Sequence, residues 1–294
     1  MPPVFSHSSR IYATTYLRSL RLRDEHFQTL KTNGLRPEIY FQFGWDKLSF
    51  VAHKQLAEIV RNEFSGCAVH LPYDAQMKPG EENDRELTLD ALRRSLELAE
   101  LYAPDHLIGH VYFDSLTDSI LGVRKFYGLK NGPLDAEHFQ PGRRFLDLSL
   151  EYWRIALENS EAALYLENTH EHSPLPICVL TDLLLKEGLT EAASPHPVGI
   201  CLDIGHWFHY AMGLHWDNLV DWLALLGTRV KHLHVHDNNG ESDQHLGLGQ
   251  AKLDLPFVWK TLQVLTPPPN FTLENHRLDG LLCSLAYLQK KPLF

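Results

Sequence analysis

The feature that most constrains the fold is a regular alternation of short apolar runs with longer segments of helical periodicity. The apolar runs are rich in β-branched and aromatic residues and predict strands over 11–17, 37–43, 67–71, 106–113, 162–167, 198–204, 230–236 and 271–274. Helical spacing predicts helices over 23–33, 52–64, 84–102, 144–160, 176–186, 216–226, 256–265 and 278–289. Strands that are each followed by a helix are typical of a (β/α)₈ barrel. A doubly wound open sheet alternates in the same way, so the pattern alone leaves that architecture open.

The length fits one such barrel. The chain has 294 residues, and single barrels run from about 200 to over 400. No linker, low-complexity segment or charge block marks a boundary, so residues 1–294 are predicted to form a single domain. The longest irregular stretch, 114–143, carries Gly, Pro and Asn turn signals and follows the fourth predicted strand. We expect it to be a rim insertion or lid.

Charge and cysteine usage narrow the class of protein. Lys and Arg total 27 and Asp and Glu total 37, which gives a formal net charge of −10. An acidic surface repels phosphate backbones, so a nucleic-acid partner is not expected. The sequence has no apolar stretch near the roughly 18 residues of a transmembrane helix, and no signal-peptide pattern at its amino terminus. Cys67, Cys178, Cys201 and Cys283 form no CxxC pair, which indicates reduced thiols and a cytoplasmic protein.

Histidines and carboxylates cluster where the last six predicted strands end. The carboxyl ends of the strands are the edge at which a barrel builds its active site. A single histidine at a strand end is more often a hydrogen-bonded rim residue than a metal ligand. Six consecutive strands with this ending favour a shared site. Its nine candidate residues are His70, His110, Glu167, Asp203, His206, His234, Asp243, His245 and Glu274.

The mixture of side chains predicts a divalent metal ion. Four carboxylates that face one cavity repel one another, and bound cations or shared protons normally relieve that repulsion. Imidazole together with carboxylate suits Zn²⁺ or Mn²⁺ better than Ca²⁺ or Mg²⁺. We therefore expect one to three divalent ions per chain, with Zn²⁺ first and Mn²⁺ second.

Three stretches of the sequence carry a family resemblance: LENTH at 166–170, CLDIGH at 201–206 and HVHDNNGESDQHLGLG at 234–249. The chain resembles the xylose isomerase-like barrels, which include sugar-phosphate isomerases and epimerases and the endonuclease IV type (AP endonuclease family 2). The resemblance implies a metal-dependent barrel with one of two kinds of site. The isomerase kind holds one ion between positions that match Glu167, Asp203, His234 and Glu274.

The endonuclease kind of site holds three zinc ions. The resemblance implies that His70 and His110 share the first ion with Glu167 as a bridge. The second ion would be held by the same four residues as in the isomerases. The third would be held by His206, Asp243 and His245.

Departures from the nuclease pattern argue against abasic DNA as the substrate. The fourth strand is followed by HVYFD where the nucleases have His-Pro-Gly, and the spacer before LGLG is short. Tyr73 matches a tyrosine on the substrate side of the nucleases. His236 shares a strand face with His234, so it is the second weak candidate for a substrate contact. LGLGQ at 246–250 lacks the full GxGxxG context, so no dinucleotide site is predicted.

Two reactions remain open from the sequence, with Glu167, Glu274 and His206 as candidate catalytic residues. The first is metal-assisted hydrolysis of a phosphoester or phosphodiester at a multinuclear site. The second is isomerisation or epimerisation of a sugar or sugar phosphate at one ion, in which Glu167 and Glu274 move a proton. Metal or sugar binding without catalysis is a third reading, disfavoured because every candidate ligand is retained. Hydrolysis of a small sugar-phosphate-like molecule is the first choice, because five candidate ligands exceed the needs of one ion.

Overall fold

Eight parallel strands close into a barrel in the order of the chain. The computed structural model describes residues 10–41, 47–72, 82–111, 143–170, 174–186, 198–214 and 218–291. Each strand pairs in parallel with the next, and the last pairs with the first through Ile11 and Phe271. The closure confirms the (β/α)₈ fold and excludes the open sheet. The strands are β1 Ile11–Tyr16, β2 Arg36–Tyr40, β3 Ala68–His70, β4 His106–His110, β5 Ala163–Glu167, β6 Val198–Asp203, β7 Val230–Val235 and β8 Asn270–Leu273.

The helices follow the strands in sequence. Several begin at a side chain that caps the first turn: Asp24 accepts from the amide of Phe27, and Asp254 from that of Phe257. In the described part of the chain the helices are α1 Leu17–Leu22, α2 Glu25–Asn33, α3 Phe50–Glu63, α4 Glu82–Glu100, α5 Arg143–Glu158, α6 Leu175–Lys186, α7 Ile204–Leu214, α8 Leu219–Leu226, α9 Leu255–Leu262 and α10 Leu278–Lys290.

Two helices differ from the sequence prediction. Leu17 and Ile204 were expected to end strands, but each begins a helix, α1 and α7. At the second junction Ile204 continues the alternate buried positions of Ile200 and Leu202, so periodicity placed the end of the strand too late. As a result His206 lies in the first turn of α7. The expected rim insertion at 114–143 lies outside the described residues except for residue 143, which begins α5.

The side chains alternate between a main apolar core outside the sheet and a mostly polar barrel interior. Ile39, Leu166, Leu202, Leu233 and Leu273 are fully buried in the core between strands and helices. Positions one residue away point into the barrel, because successive strand side chains face opposite sides. Apart from a small cluster around Ile108 and Cys201, these inward positions carry histidine, carboxylate, threonine and tyrosine. The alternation explains how the polar residues of the candidate site come to share one enclosed space.

The cysteines and the lengths of the helices complete the description of the fold. All four cysteines are free thiols, and three of them are buried. Among the described helices, none is both long and apolar enough to cross a lipid bilayer.

Candidate metal centre

The nine candidate residues all lie within the described chain, at or near the carboxyl end of the barrel. Most of their donor atoms fall into overlapping groups in which all atoms lie within 4.8 Å of one another. One group contains His70, Glu167, His234 and Glu274, and a second contains His110, Glu167 and His206. A third contains His206, His236, Asp243 and His245.

Glu167 lies at the centre of the arrangement, at the end of β5. Its side chain is fully buried, and its two oxygens face different imidazoles. Oε2 is 2.9 Å from Nε2 of His70 and 3.1 Å from Nε2 of His110. Oε1 is 3.0 Å from Nδ1 of His234 and 3.6 Å from Nδ1 of His206. This carboxylate can therefore serve two neighbouring positions at once.

His234 joins Glu167 to two other carboxylates. Its Nδ1 is 3.2 Å from Oε2 of Glu274 and 3.8 Å from Oδ2 of Asp203. The hydroxyl of Tyr40, on β2, donates to the other oxygen of Glu274. Asn168 bonds both the amide and the carbonyl of Asp203, at 2.8 and 3.1 Å, and so fixes the end of β6. Three carboxylates and one imidazole thus converge in water-excluded surroundings.

A third set lies nearer the rim. Oδ2 of Asp243 is 2.9 Å from Nε2 of His245 and 3.3 Å from Nε2 of His206. His206 is oriented by a 2.8 Å hydrogen bond between its Nδ1 and the carbonyl of Asn168. The backbone of this loop is not extended at His245, which has a φ of 49°. This left-handed conformation is uncommon outside glycine, although histidine tolerates it better than most residues.

Asp237, whose sequence context DNNG is typical of a turn, holds the loop that carries Asp243 and His245. Its buried carboxylate accepts four backbone N–H groups, from Asn238, Gly249, Ala251 and Leu253, at 2.8 to 3.1 Å. Two of these donors lie in or next to the LGLGQ stretch, which therefore docks on a carboxylate of its own chain. Only the contact between distant residues identifies this role, and a sequence has no local signal for it.

Glu38 lies in the middle of β2, so a pattern of strand ends does not reveal it. Its Oε1 is 3.1 Å from Nε2 of His234, and its Oε2 accepts from the hydroxyl of Thr272 at 2.5 Å. Thr272 in turn contacts Nε2 of His232 at 2.8 Å. The alternating pattern of β2, with Glu38 and Tyr40 on either side of an apolar residue, was the available signal. A carboxylate on the far nitrogen of a histidine fixes which nitrogen is free to bind a ligand.

The charges of the cluster compensate one another. Burial opposes ionisation of Glu167, but the charges of His110 and His234 outweigh it and hold the pKa of Glu167 well below its usual value. For His206, burial is outweighed by Asp203 and Asp243, and its pKa lies well above the usual value. Burial also opposes the charge on His245, but the negative charges of Glu274 and Asp243 outweigh it and raise the pKa of His245 to about 10. Protons on the imidazoles thus balance the carboxylates.

The remaining candidates fall in different places. Tyr73 lies outside the described residues, so its expected substrate contact stays a prediction. His236 is fully buried beside Asp203. His276 was not singled out from the sequence, yet its ring stacks on His245 with centroids 3.8 Å apart. Among the described residues, the ion-pair partners of the cluster carboxylates are imidazoles rather than Lys or Arg.

The closed parallel barrel, with buried histidines and carboxylates at its carboxyl end, defines the chain as a TIM-barrel protein. Comparison with known families gives the same class. The family model for xylose isomerase-like TIM barrels (AP endonuclease 2) matches residues 32–290. The chain belongs to this family.

Two curated relatives match part of the chain. The uncharacterized protein MJ1614 of Methanocaldococcus jannaschii is 35% identical over 85 residues, which is 29% of this chain and 31% of the relative. The uncharacterized protein MJ1311 of the same organism is 28% identical over 93 residues, 32% of this chain and 31% of the relative. The chain thus spans about a third of the length of the curated relatives it matches.

Several solved structures share the fold over nearly the whole chain. The TTHB071 protein of Thermus thermophilus, soaked with ZnCl₂, has a TM-score of 0.63 and 22% identity, with 95% of this chain and 96% of that chain covered. A D-tagatose 3-epimerase-like protein has a TM-score of 0.64 and 20% identity, with 96% of both chains covered. Endonuclease IV from Thermus thermophilus has a TM-score of 0.58 and 17% identity, with 96% and 99% covered. At these identities the likeness establishes the fold alone.

Proposed function

We propose that this protein is a divalent-metal-dependent phosphoesterase that acts on a small sugar-phosphate-like molecule at a multinuclear site. The observation that carries the proposal is the position of Glu167, whose two oxygens face two different sets of imidazoles. A single ion would leave His70, His110 and the set around Asp243 without a metal to bind. The zinc soak of TTHB071 makes Zn²⁺ the first candidate.

The donors present fit such ions. Oδ2 of Asp203 and Oε2 of Glu274 are buried and have no hydrogen-bond partner among the described residues. Buried polar atoms normally find partners, and orphaned carboxylate oxygens pointing at imidazoles are what a cation would satisfy. His70, His110 and Glu167 would hold a first ion, and Glu167, Asp203, His234 and Glu274 a second. His206, Asp243 and His245 would hold a third.

Bound divalent ions would neutralise the phosphate charge and provide a nucleophile from water at neutral pH. The described part of the chain offers no Lys or Arg partner to the cluster carboxylates, which favours charge neutralisation by metal. Glu167 stays ionised because its pKa is held low. Tyr40 keeps its proton, since burial and the charge of Glu274 raise its pKa well above the usual value. Its hydroxyl can therefore hold Glu274 in position through a donated hydrogen bond.

A mononuclear isomerase or epimerase is the alternative, and one observation favours it. Glu167 and Glu274 both lie within about 3.2 Å of Nδ1 of His234, and these three residues would be among the ligands of an isomerase ion. The two glutamates could then pass a proton between neighbouring carbons of a sugar. The epimerase-like structural neighbour is consistent with this chemistry. Abasic DNA is disfavoured by the net charge of −10.

Metal content separates the two reactions. The wild-type protein, purified without chelator, would be compared with the double variant Asp243→Ala, His245→Ala and with Glu241→Ala, a change of an exposed residue in the same loop. A hydrolase should lose one equivalent of metal and most phosphoesterase activity in the double variant only. Metal would be measured by mass spectrometry and folding by circular dichroism.

The metal content can also contradict the proposal. If the wild-type protein holds one ion per chain and the folded double variant keeps it, the multinuclear proposal is wrong. Damage to substrate affinity alone would then favour the isomerase.

A further inference from the structure

His236 is a buried imidazole with a nitrogen that lacks a partner. It follows β7 directly and faces the same side as His234. Its side chain is fully buried, and its Nε2 has no hydrogen-bond partner among the described residues. That nitrogen is 3.3 Å from Oδ1 of Asp203, 3.9 Å from Oε2 of Glu274 and 4.0 Å from Oδ1 of Asp243. The atom therefore points into the carboxylate cluster and away from solvent.

The surroundings of His236 fix the orientation of its ring. The ring stacks on that of His245, with centroids 4.1 Å apart and planes 17° from parallel. Its Nδ1 contacts the carbonyl of Asp237 at 3.4 Å. A carbonyl can only accept, so this contact uses Nδ1 as the donor and leaves Nε2 as the nitrogen that can bind a metal.

Gly205 makes room for this ring. A Cβ at position 205 would lie 1.9 Å from Cε1 and 2.2 Å from Nε2 of His236. Real Cβ atoms do not approach rings so closely, so no other residue fits position 205 unless His236 moves. Gly205 lies one residue before His206, in the first turn of α7. The sequence thus leaves a space at the start of α7 that His236 fills.

We propose that His236 is a fourth protein ligand of the ion that His206, Asp243 and His245 would hold. The inference rests on the proposed multinuclear function and goes beyond it by one ligand. The donor atoms of these four residues all lie within 4.8 Å of one another. Three imidazoles and a carboxylate complete the four ligands of a zinc site with no open position. Such an ion would tie the loop of Asp243 to α7, and the ions held by Glu167 would be the ones that bind substrate.

The test measures metal affinity and metal spectrum rather than activity. Wild-type protein and His236→Ala would be titrated with Zn²⁺ against a chelator and with Co²⁺, whose visible absorption reports ligand number and type. The control is His209→Ala, a histidine on α7 that is only partly buried. Gly205→Ala gives a second route, because it displaces the His236 ring and removes no donor atom.

We expect His236→Ala to weaken the binding of one ion by about 100-fold or more, since even an outer hydrogen-bond partner of a ligand contributes about 10- to 100-fold. The Co²⁺ absorption of that ion should change. Gly205→Ala should weaken the same ion, and His209→Ala should change neither affinity nor spectrum.

Three results would contradict the proposal. If folded His236→Ala binds every ion with wild-type affinity, His236 is not a ligand. If His236→Asn, whose amide can donate to Asp203 but supplies no imidazole nitrogen, has wild-type affinity and spectrum, His236 acts as a hydrogen-bonding group and not as a ligand. If His236→Ala does not fold, His236→Asn and Gly205→Ala decide between the two roles. If the wild-type protein binds only one ion, the proposed function fails and the inference fails with it.

Discussion

Replacement of Glu38 by Gln tests whether this buried carboxylate determines which nitrogen of His234 can bind a metal ion. Glu38 contacts Nε2 of His234 at 3.1 Å and accepts from Thr272 at 2.5 Å. Both contacts use Glu38 as an acceptor, so when His234 gives up one proton to bind a metal, the proton that it keeps is on Nε2. The lone pair of Nδ1 then faces Glu167 and Glu274.

A glutamine at position 38 can accept at only one end. Its amide would face either His234 or Thr272 with a donor. If it faces His234, the ring must move its proton to Nδ1, and that nitrogen can no longer bind a metal. A lost outer partner of a metal ligand lowers affinity by about 10- to 100-fold, which is about 1.4 to 2.7 kcal/mol at 1.36 kcal/mol per tenfold.

The assay is a chelator competition with Zn²⁺ on wild-type protein, Glu38→Gln and Thr272→Ser. Serine keeps the hydroxyl that donates to Glu38, so that control should bind metal like the wild type. Circular dichroism and thermal unfolding of the metal-free proteins would show that the barrel is intact. Wild-type affinity in a folded Glu38→Gln protein would falsify this account of His234.

Three further predictions concern Glu274, Asp237 and His245. Glu274→Gln should lower phosphoesterase turnover at saturating substrate by at least about 100-fold, and wild-type turnover would remove Glu274 from the reaction. Asp237→Asn should lower the free energy of unfolding by about 3 kcal/mol in urea titrations, because an amide group would face two of the four N–H donors; an unchanged midpoint would contradict this. His245, whose pKa is raised to about 10, stabilises the metal-free chain fully below about pH 6.5 and progressively less up to pH 10. A metal ion must displace that proton, so the rise in Tm on adding Zn²⁺ should grow between pH 6 and 9, and a rise that is constant with pH would refute the exchange.

The sequence was sufficient to predict the barrel and most of the candidate cluster. In β7 the order His232, Leu233, His234, Val235 alternates polar and apolar residues, and the structure buries the apolar ones against the helices. The same periodicity placed Glu167 on the inner face of β5. The convergence of these residues follows from the closure of the sheet, which makes parallel strands end at one rim.

Contacts between distant parts of the chain could not be predicted in this way. The role of Asp237 depends on amides up to 16 residues away, and that of Glu38 on a histidine 196 residues away. The left-handed conformation of His245 has no local sequence signal either. The start of α7 was missed because Ile204 continues the buried apolar pattern of β6.

The barrel interior buries Glu38, Glu167, Asp203 and Glu274 completely. Isolated buried charges are strongly destabilising, so such a set requires compensating positive charge. In the metal-free chain that charge lies on imidazoles: burial opposes it, but Cys201, Glu167 and the other acidic neighbours raise the pKa of His234 well above its usual value. Divalent ions can replace these protons without moving the carboxylates, because the imidazole nitrogens already lie about 3 Å from them. On the proposed function, metal binding at this site would therefore be an exchange of imidazole protons for divalent cations.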